Sequence, residues 1–319
     1  MNNLKRNKIR VITEAETSFA SYKGTFGDLL HQGVLPIFAM SNNNLVPLGT
    51  GFIISPSGIM MTARHVVEDF VDRKEIRDSN EPIENFGLYV LYASDKKHDY
   101  SSDYSNCYIG GPIRIIKIST DVNLDIALCQ LQAMQKVDTG ELLKYPTVKL
   151  NFSVPQLGMK VLGVGYSGSQ FSQDKYIKKG KYTKRCVDYS CKFVTTGGEI
   201  VEVIKSQGHR RWPHFRSTAR FEPGMSGGPV FIENGSVCGV ICSSFSNCTD
   251  ESGYMSYVSE LWPALAFKVD VLLEGNMEPQ KITLFELIKM NIIGTDDSKN
   301  KIEMIVDKTG NTIGIRRIK

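Results

Sequence analysis

From Leu35 to Val258 the chain is a succession of short apolar runs, rich in β-branched and aromatic residues and separated by clusters of Pro, Gly, Asn and Ser. Runs this short do not sustain a 3.6-residue period; bounded by turn signals, they read as strands. A first set comprises Leu35–Met40, Leu48–Ile54, Ile59–Thr62, Phe86–Ala93, Ile113–Ile118 and Ile126–Leu131. A second comprises Lys160–Gly165, Cys191–Thr195, Glu199–Ile204, Pro229–Ile232, Val237–Cys242 and Tyr254–Val258. Gln132–Pro155, with its Thr-Gly, Tyr-Pro and Val-Pro signals, reads as a connector between two β-units. Helix is expected only at Val66–Val71, at Glu260–Leu273 and at Ile282–Ile288, whose apolar spacing is helical. Lys301–Val306 and Thr312–Ile318 flank Asp-Lys-Thr-Gly-Asn, a hairpin signal. No repeat of 20–50 residues is visible, which argues against a solenoid or propeller.

Composition narrows the class. Of 319 residues, 41% are hydrophobic and 23% charged, enough apolar surface for a packed core and too much for a disordered chain. No apolar run reaches the roughly 18 residues of a membrane span, and Met1–Arg6 carries charge without the apolar stretch of a signal peptide. The seven cysteines are an odd number, which leads us to expect free thiols and a cytoplasmic location. The pairs Cys186/Cys191 and Cys238/Cys242 lack C-x-x-C spacing, so we read them as small hydrophobes rather than zinc ligands. Net charge is +4, but residues 171–220 hold 12 Lys/Arg against 4 Asp/Glu. Within that segment Arg210–Arg216 mixes arginines with aromatic rings, a pattern that single-stranded nucleic acid can exploit. No nucleic-acid fold signature accompanies it, and we do not expect nucleic acid as a partner.

The sharpest motif is Gly224-Met225-Ser226-Gly227-Gly228-Pro229-Val230. Glycines here leave open space around a serine, and two backbone amides, those of Gly224 and Ser226, can hold an oxyanion. A serine hydroxyl also needs a base. Gly-x-Ser-x-Gly matches the α/β-hydrolase elbow, but that fold requires its histidine after the serine. The histidines are His31, His65, His98, His209 and His214, all before Ser226. Thr62-Ala63-Arg64-His65-Val66-Val67 puts a histidine at the end of an apolar strand, where it is well held as a base. Leu124-Asp125-Ile126-Ala127-Leu128 puts an aspartate at the start of another, where burial demands a partner such as an imidazole N–H. Asp121 competes for that role but sits in a polar, loop-like stretch.

The three segments, in the order His, Asp, Ser, resemble the trypsin/chymotrypsin superfamily, and most of all its bacterial-type members. The resemblance covers about residues 33–270. It implies an all-β fold of two six-stranded antiparallel β-barrels with the active site in the cleft between them, followed by a small helix and hairpin appendage. The expected parts are an N-terminal extension 1–32, a first barrel 33–135 with His65 and Asp125, a second barrel 136–275 with Ser226 and a helix, and an appendage 276–319. It implies a serine endopeptidase acting on protein or peptide substrates through His65, Asp125 and Ser226, with the amides of Gly224 and Ser226 as oxyanion hole and with no metal or organic cofactor. Digestive members place an aspartate before the nucleophile; this chain has Met225, so activity should not depend on a freed N-terminus. Ungapped counting puts Arg220 at the base of the primary pocket, and with His214 it would favour acidic side chains. Rival readings are a silent protease-like module that only binds protein, and an esterase or acyltransferase on the same barrels.

Overall fold

A computed structural model of the chain describes residues 8–17, 32–41, 44–71, 86–97, 107–135, 139–171, 175–179, 182–205, 210–245, 255–271, 278–308 and 312–318. His31, His98, His209, Cys248 and the start of the Tyr254–Val258 run lie outside them, as do parts of the basic segment 171–220.

Strand β1 is Lys8–Thr17. The first barrel follows: β2 (Val34–Ser41), β3 (Asn44–Ile53), β4 (Ile59–Thr62), β5 (Phe86–Lys97), β6 (Cys107–Thr120) and β7 (Ala127–Leu131). β2 pairs with β3, β3 with β4, β4 with β7, β7 with β6, β6 with β5 and β5 with β2, all antiparallel, so the ring of six closes. Closure removes the unpaired edges that an open sheet would expose. The Ser-Pro-Ser-Gly sequence at 55–58 turns β3 into β4 through a hydrogen bond from Gly58 N–H to the Ser55 carbonyl. Phe52, Ile53, Ile59, Met60 and Met61 are fully buried, each contributing about 1.5–3 kcal/mol by leaving water.

The second barrel follows a two-residue strand, β8 (Lys149–Leu150). Its strands are β9 (Lys160–Phe171), β11 (Tyr182–Ile204), β12 (His214–Ser217), β13 (Pro229–Ile232), β14 (Ser236–Phe245) and β15 (Met255–Glu260); β10 (Lys175–Lys179) forms a hairpin with β11. The ring runs β9–β11–β12–β15–β14–β13 and back to β9, again antiparallel. Val161, Ile200, Phe215, Val230, Ile241 and Val258 fill it. β1 lies between the barrels, parallel to β11 and antiparallel to β6.

Four expectations change. Cys191–Thr195 and Glu199–Ile204 belong to one strand of 23 residues, because Gly197 and Gly198 stay in register with Leu162 and Val161. The sixth strand of the second barrel is His214–Ser217, inside the basic segment 171–220 and not one of the expected apolar runs such as Tyr254–Val258. Glu260–Leu273 is not one helix: Trp262–Ala266 forms a 3₁₀ turn opened by Pro263, and Lys268–Val271 is strand β16. Ile282–Ile288 divides at Thr283, where strand β17 (Gln280–Thr283) meets a helix, Leu284–Lys289, started by a Thr283/Glu286 capping box.

Val66–Val71 lies inside the helix Arg64–Val71, here α1; the capped helix Leu284–Lys289 is α2. The appendage ends in a hairpin of β18 (Ile302–Val306) and β19 (Thr312–Arg317). It is anchored by Asp296, whose carboxylate accepts hydrogen bonds from Asn151 (2.6 Å), Asn234 (3.1 Å) and the Ser298 amide (3.0 Å) and hydroxyl. Burial alone would raise the Asp296 carboxyl, but the bonds from Ser298 and Asn151 outweigh it and hold the group below the usual carboxylate range. Arg317 pairs with buried Glu260 beneath the Trp262 ring. No helix among the described residues is long and apolar enough to cross a membrane.

Candidate active site

Register brings the histidine and the aspartate together. β4 pairs with β7 so that Thr62 faces Ala127. Continuing that antiparallel register past the strand ends sets Asp125 beside Arg64 and His65. His65 opens α1, and its imidazole Nδ1 lies 3.0 Å from both carboxylate oxygens of Asp125. The His65 backbone N–H donates to Asp125 Oδ1 at 3.1 Å. Asp125 is 9% exposed, whereas the His65 side chain is 42% exposed. A carboxylate that only accepts fixes the proton on Nδ1 and leaves Nε2 with its lone pair towards the open side. Asp121 is not a competitor: it is exposed and accepts from the amide and side chain of Asn123, closing its own turn.

Ser226 sits in a loop that both barrels hold. Met225 N–H donates to the Glu222 carbonyl, Gly227 N–H to Ile241, Gly228 N–H to Met225, and Thr50 N–H to the Ser226 carbonyl. None of the described hydrogen bonds uses the amides of Gly224 and Ser226. Gly224 and Gly227 have φ of +97° and +86°, a region that favours glycine. A Cβ on Gly227 would overlap the Thr50 carbonyl and the Thr62 hydroxyl, so the first barrel packs against bare backbone there. The Ser226 hydroxyl donates to the Cys242 carbonyl on β14 at 3.1 Å. Thus the structure brings His65 to Asp125 and lays the Ser226 loop against the strands leading to His65, while the Ser226 hydroxyl itself rests on β14. Met225 is fully buried, and its sulfur accepts from Glu222 N–H.

Beside His65 lies a cavity of about 290 Å³, lined by Leu124, Asp125, Arg210, Trp212 and Ser243 among others. Arg210 donates to Ser243 Oγ at 2.9 Å and stacks 3.7 Å over the Tyr257 ring. In the sequence this arginine stands out only as part of the mixed basic and aromatic run Arg210–Arg216. Neither Arg220 nor His214 lines this cavity. Arg220 is exposed on the approach to the Ser226 loop, and neighbouring Glu222 accepts from Ser167 Oγ at 2.6 Å. His214 is buried in β12, with Nδ1 donating to the Trp212 carbonyl at 2.7 Å. Burial lowers its pKa, and the Trp212 carbonyl partly opposes that.

Cys129, Cys191, Cys238 and Cys242 are free and buried. Burial pushes the first three thiols up to about 12, and burial together with the Asp125 charge pushes Cys242 well above its ordinary value. They are inert packing groups at neutral pH. Among the described residues no group of three or more His, Cys, Asp or Glu could hold a metal ion.

Comparison with known proteins gives the family. A curated relative, the "Probable periplasmic serine endoprotease DegP-like" of Pseudomonas putida (strain W619), is 27% identical over 235 residues. The match covers 73% of this chain but only 35% of the relative, so this chain spans about a third of that protein. The relative's name places it in the periplasm and lends nothing to the cytoplasmic expectation, which rested on the thiols. Among solved structures, Deg5 is 14% identical with a TM-score of 0.46, covering 73% of this chain and 86% of its own. The active form of the Rv3671c protease from M. tuberculosis is 18% identical with a TM-score of 0.44, covering 78% and 85%. The family model described as "Trypsin-like peptidase domain" matches residues 49–240, which include His65, Asp125 and Ser226. With that match over more than half of its length, the chain belongs to the trypsin-like peptidase domain family.

Proposed function

We propose that the chain is a serine endopeptidase that cleaves protein or peptide substrates through an acyl-enzyme. The observation that carries this reading is the double hold of Asp125 on His65, through the ring Nδ1 and the backbone N–H. With Nδ1 protonated, Nε2 takes the proton of the Ser226 hydroxyl as the oxygen attacks the substrate carbonyl. The reading requires that this hydroxyl leave the Cys242 carbonyl and turn to Nε2. The amides of Gly224 and Ser226 then receive the oxyanion. The His65 imidazolium, stabilised by Asp125, protonates the leaving amine, and the same imidazole activates the water that releases the acyl group. Met225 fills the position before the nucleophile, so the reading needs no freed N-terminus. Two arginines line the cleft, Arg64, which pairs with Glu68 at 2.8 Å, and Arg210; we assign to Arg210 a preference for substrates with an acidic side chain near the scissile bond.

A second reading is a module that binds protein without cutting it. The Ser226 hydroxyl resting on Cys242 rather than on His65 is the observation in its favour. A fluorophosphonate probe separates the two. The peptidase reading expects covalent labelling that disappears in Ser226→Ala; no labelling of the folded wild-type chain would leave the binding module standing.

A further inference from the structure

One residue of the first barrel reaches the Ser226 loop at two points. Thr50 lies on β3 and is fully buried. Its N–H donates to the Ser226 carbonyl and its Oγ1 donates to the Gly224 carbonyl, both at 2.8 Å. The same Oγ1 accepts from the Tyr166 amide on β9 at 3.0 Å, and the Thr50 carbonyl accepts from Thr62 Oγ1 at 2.6 Å. Thr50 therefore has every hydrogen-bonding group engaged, with partners in both barrels.

The peptide planes concerned are specific. The Gly224 carbonyl fixes the plane joining Gly224 to Met225, and the Ser226 carbonyl fixes the plane joining Ser226 to Gly227. Between them lies the plane that carries the Ser226 amide. The Gly224 amide belongs to the preceding plane, tethered on its other side by Glu222 through Ser167 Oγ. Two glycines at positive φ make this loop intrinsically loose, since glycine crosses freely between backbone wells. Some neighbour must choose the orientation in which both amides face the same point. Thr50 is the neighbour placed to do so. Through Thr62 on β4, which faces Gly51 of β3, it is also tied to the strand that leads into His65.

We infer that Thr50 is a positioning residue: its hydroxyl sets the oxyanion-binding amides of Gly224 and Ser226 and their register with His65. This rests on the peptidase reading for its catalytic consequence, though not for its structural one. Preorganised donors stabilise a transition state only where they are held before reaction, so a loosened loop lowers turnover more than ground-state binding.

The test compares Thr50→Val, which keeps the shape and removes the hydroxyl, with Thr50→Ser, which keeps the hydroxyl. With a peptide substrate, Thr50→Val should lose about tenfold to a hundredfold in kcat while KM stays within about threefold. Thr50→Ser should stay within about threefold of wild type in both. Amide hydrogen exchange reports the same point without activity: Gly227 and Gly228 N–H should exchange faster in Thr50→Val and at the wild-type rate in Thr50→Ser. Wild-type turnover in Thr50→Val, or unchanged exchange at those amides, overturns the inference. If wild type itself shows no turnover, the peptidase reading fails and hydrogen exchange alone decides this one. If Thr50→Val does not fold, Thr50→Cys, with its weaker donor, takes its place. It should fall below Thr50→Ser in kcat and exchange faster at Gly227 and Gly228; equality with Thr50→Ser overturns the inference.

Discussion

Replacing Asp125 by asparagine probes the site while hardly changing its shape. The carboxylate meets His65 three times: once at the backbone N–H, at 3.1 Å, and twice at Nδ1, at 3.0 Å. All three contacts need an acceptor. Asparagine has one acceptor oxygen and a donor NH₂ group. If the oxygen stays on the backbone N–H, the NH₂ faces Nδ1 and selects the tautomer with its proton on Nε2. That tautomer has no lone pair for the Ser226 hydroxyl. The imidazolium formed during attack also loses its counter-charge. Together these should lower kcat by about 10³–10⁴, or roughly 4–5.5 kcal/mol of barrier, with KM nearly unchanged. Because the two side chains are nearly isosteric, the folded fraction should match wild type by circular dichroism. The assay is steady-state hydrolysis of a fluorogenic peptide at neutral pH, with Asp121→Asn alongside as a control that keeps full activity. Asp125→Asn within tenfold of wild type, or a comparable loss in Asp121→Asn, would refute the reasoning.

Other perturbations test the packing and the cleft. Gly227→Ala should destabilise the chain by about 2–5 kcal/mol in chemical denaturation, because it adds left-handed backbone strain to an overlap with Thr50 and Thr62. A loss under 1 kcal/mol would mean the barrels are not so close there. Asp296→Ala should cost about 1–3 kcal/mol at pH 7, since it orphans the buried donors of Asn151 and Ser298. The folded-state pKa of Asp296 is depressed, so its stabilisation is fully present above the ordinary value of 3.8 and is lost as pH falls through the lower folded value. The difference between wild type and Asp296→Ala should therefore shrink only below about pH 4, and a gap independent of pH would contradict the charge-based anchor. Arg210→Ala should reduce cleavage of peptides with Asp or Glu near the scissile bond by about tenfold, leaving neutral peptides within about threefold. An equal loss on both would make Arg210 structural.

The short strands and the three motifs were legible because each carries local chemistry. An apolar run between turn residues, a histidine ending a buried strand and glycines around a serine are all visible within ten residues. The pairing of His65 with Asp125 was legible too, since a buried carboxylate needs a donor. What was hidden depends on distant register. Residues 191–204 look broken by Gly197-Gly198, but β9 supplies the partner that keeps them extended. His214–Ser217 reads as polar, yet His214 and Phe215 are buried by pairing with β15 and β11. The Glu260–Leu273 region has helical composition, but Pro263 and the pairing of Lys268–Val271 with Gln280–Thr283 divide it. Counting back from Ser226 singled out Arg220, whereas Arg210, which lines the cavity beside His65, comes from ten residues earlier. Thr50 carried no signal, because a threonine in a strand is ordinary until its hydrogen-bond partners are known.

The central claim is that Ser226 becomes the site of a covalent acyl adduct. Intact-mass and peptide mass spectrometry of the wild-type chain, quenched in acid during turnover of a slowly deacylated peptide ester, tests it most directly. The account predicts an adduct with the mass of the acyl fragment, located on Ser226, absent from Ser226→Ala and strongly reduced in Asp125→Asn. Product formation without any adduct on Ser226, or an adduct that persists in Ser226→Ala, would contradict it.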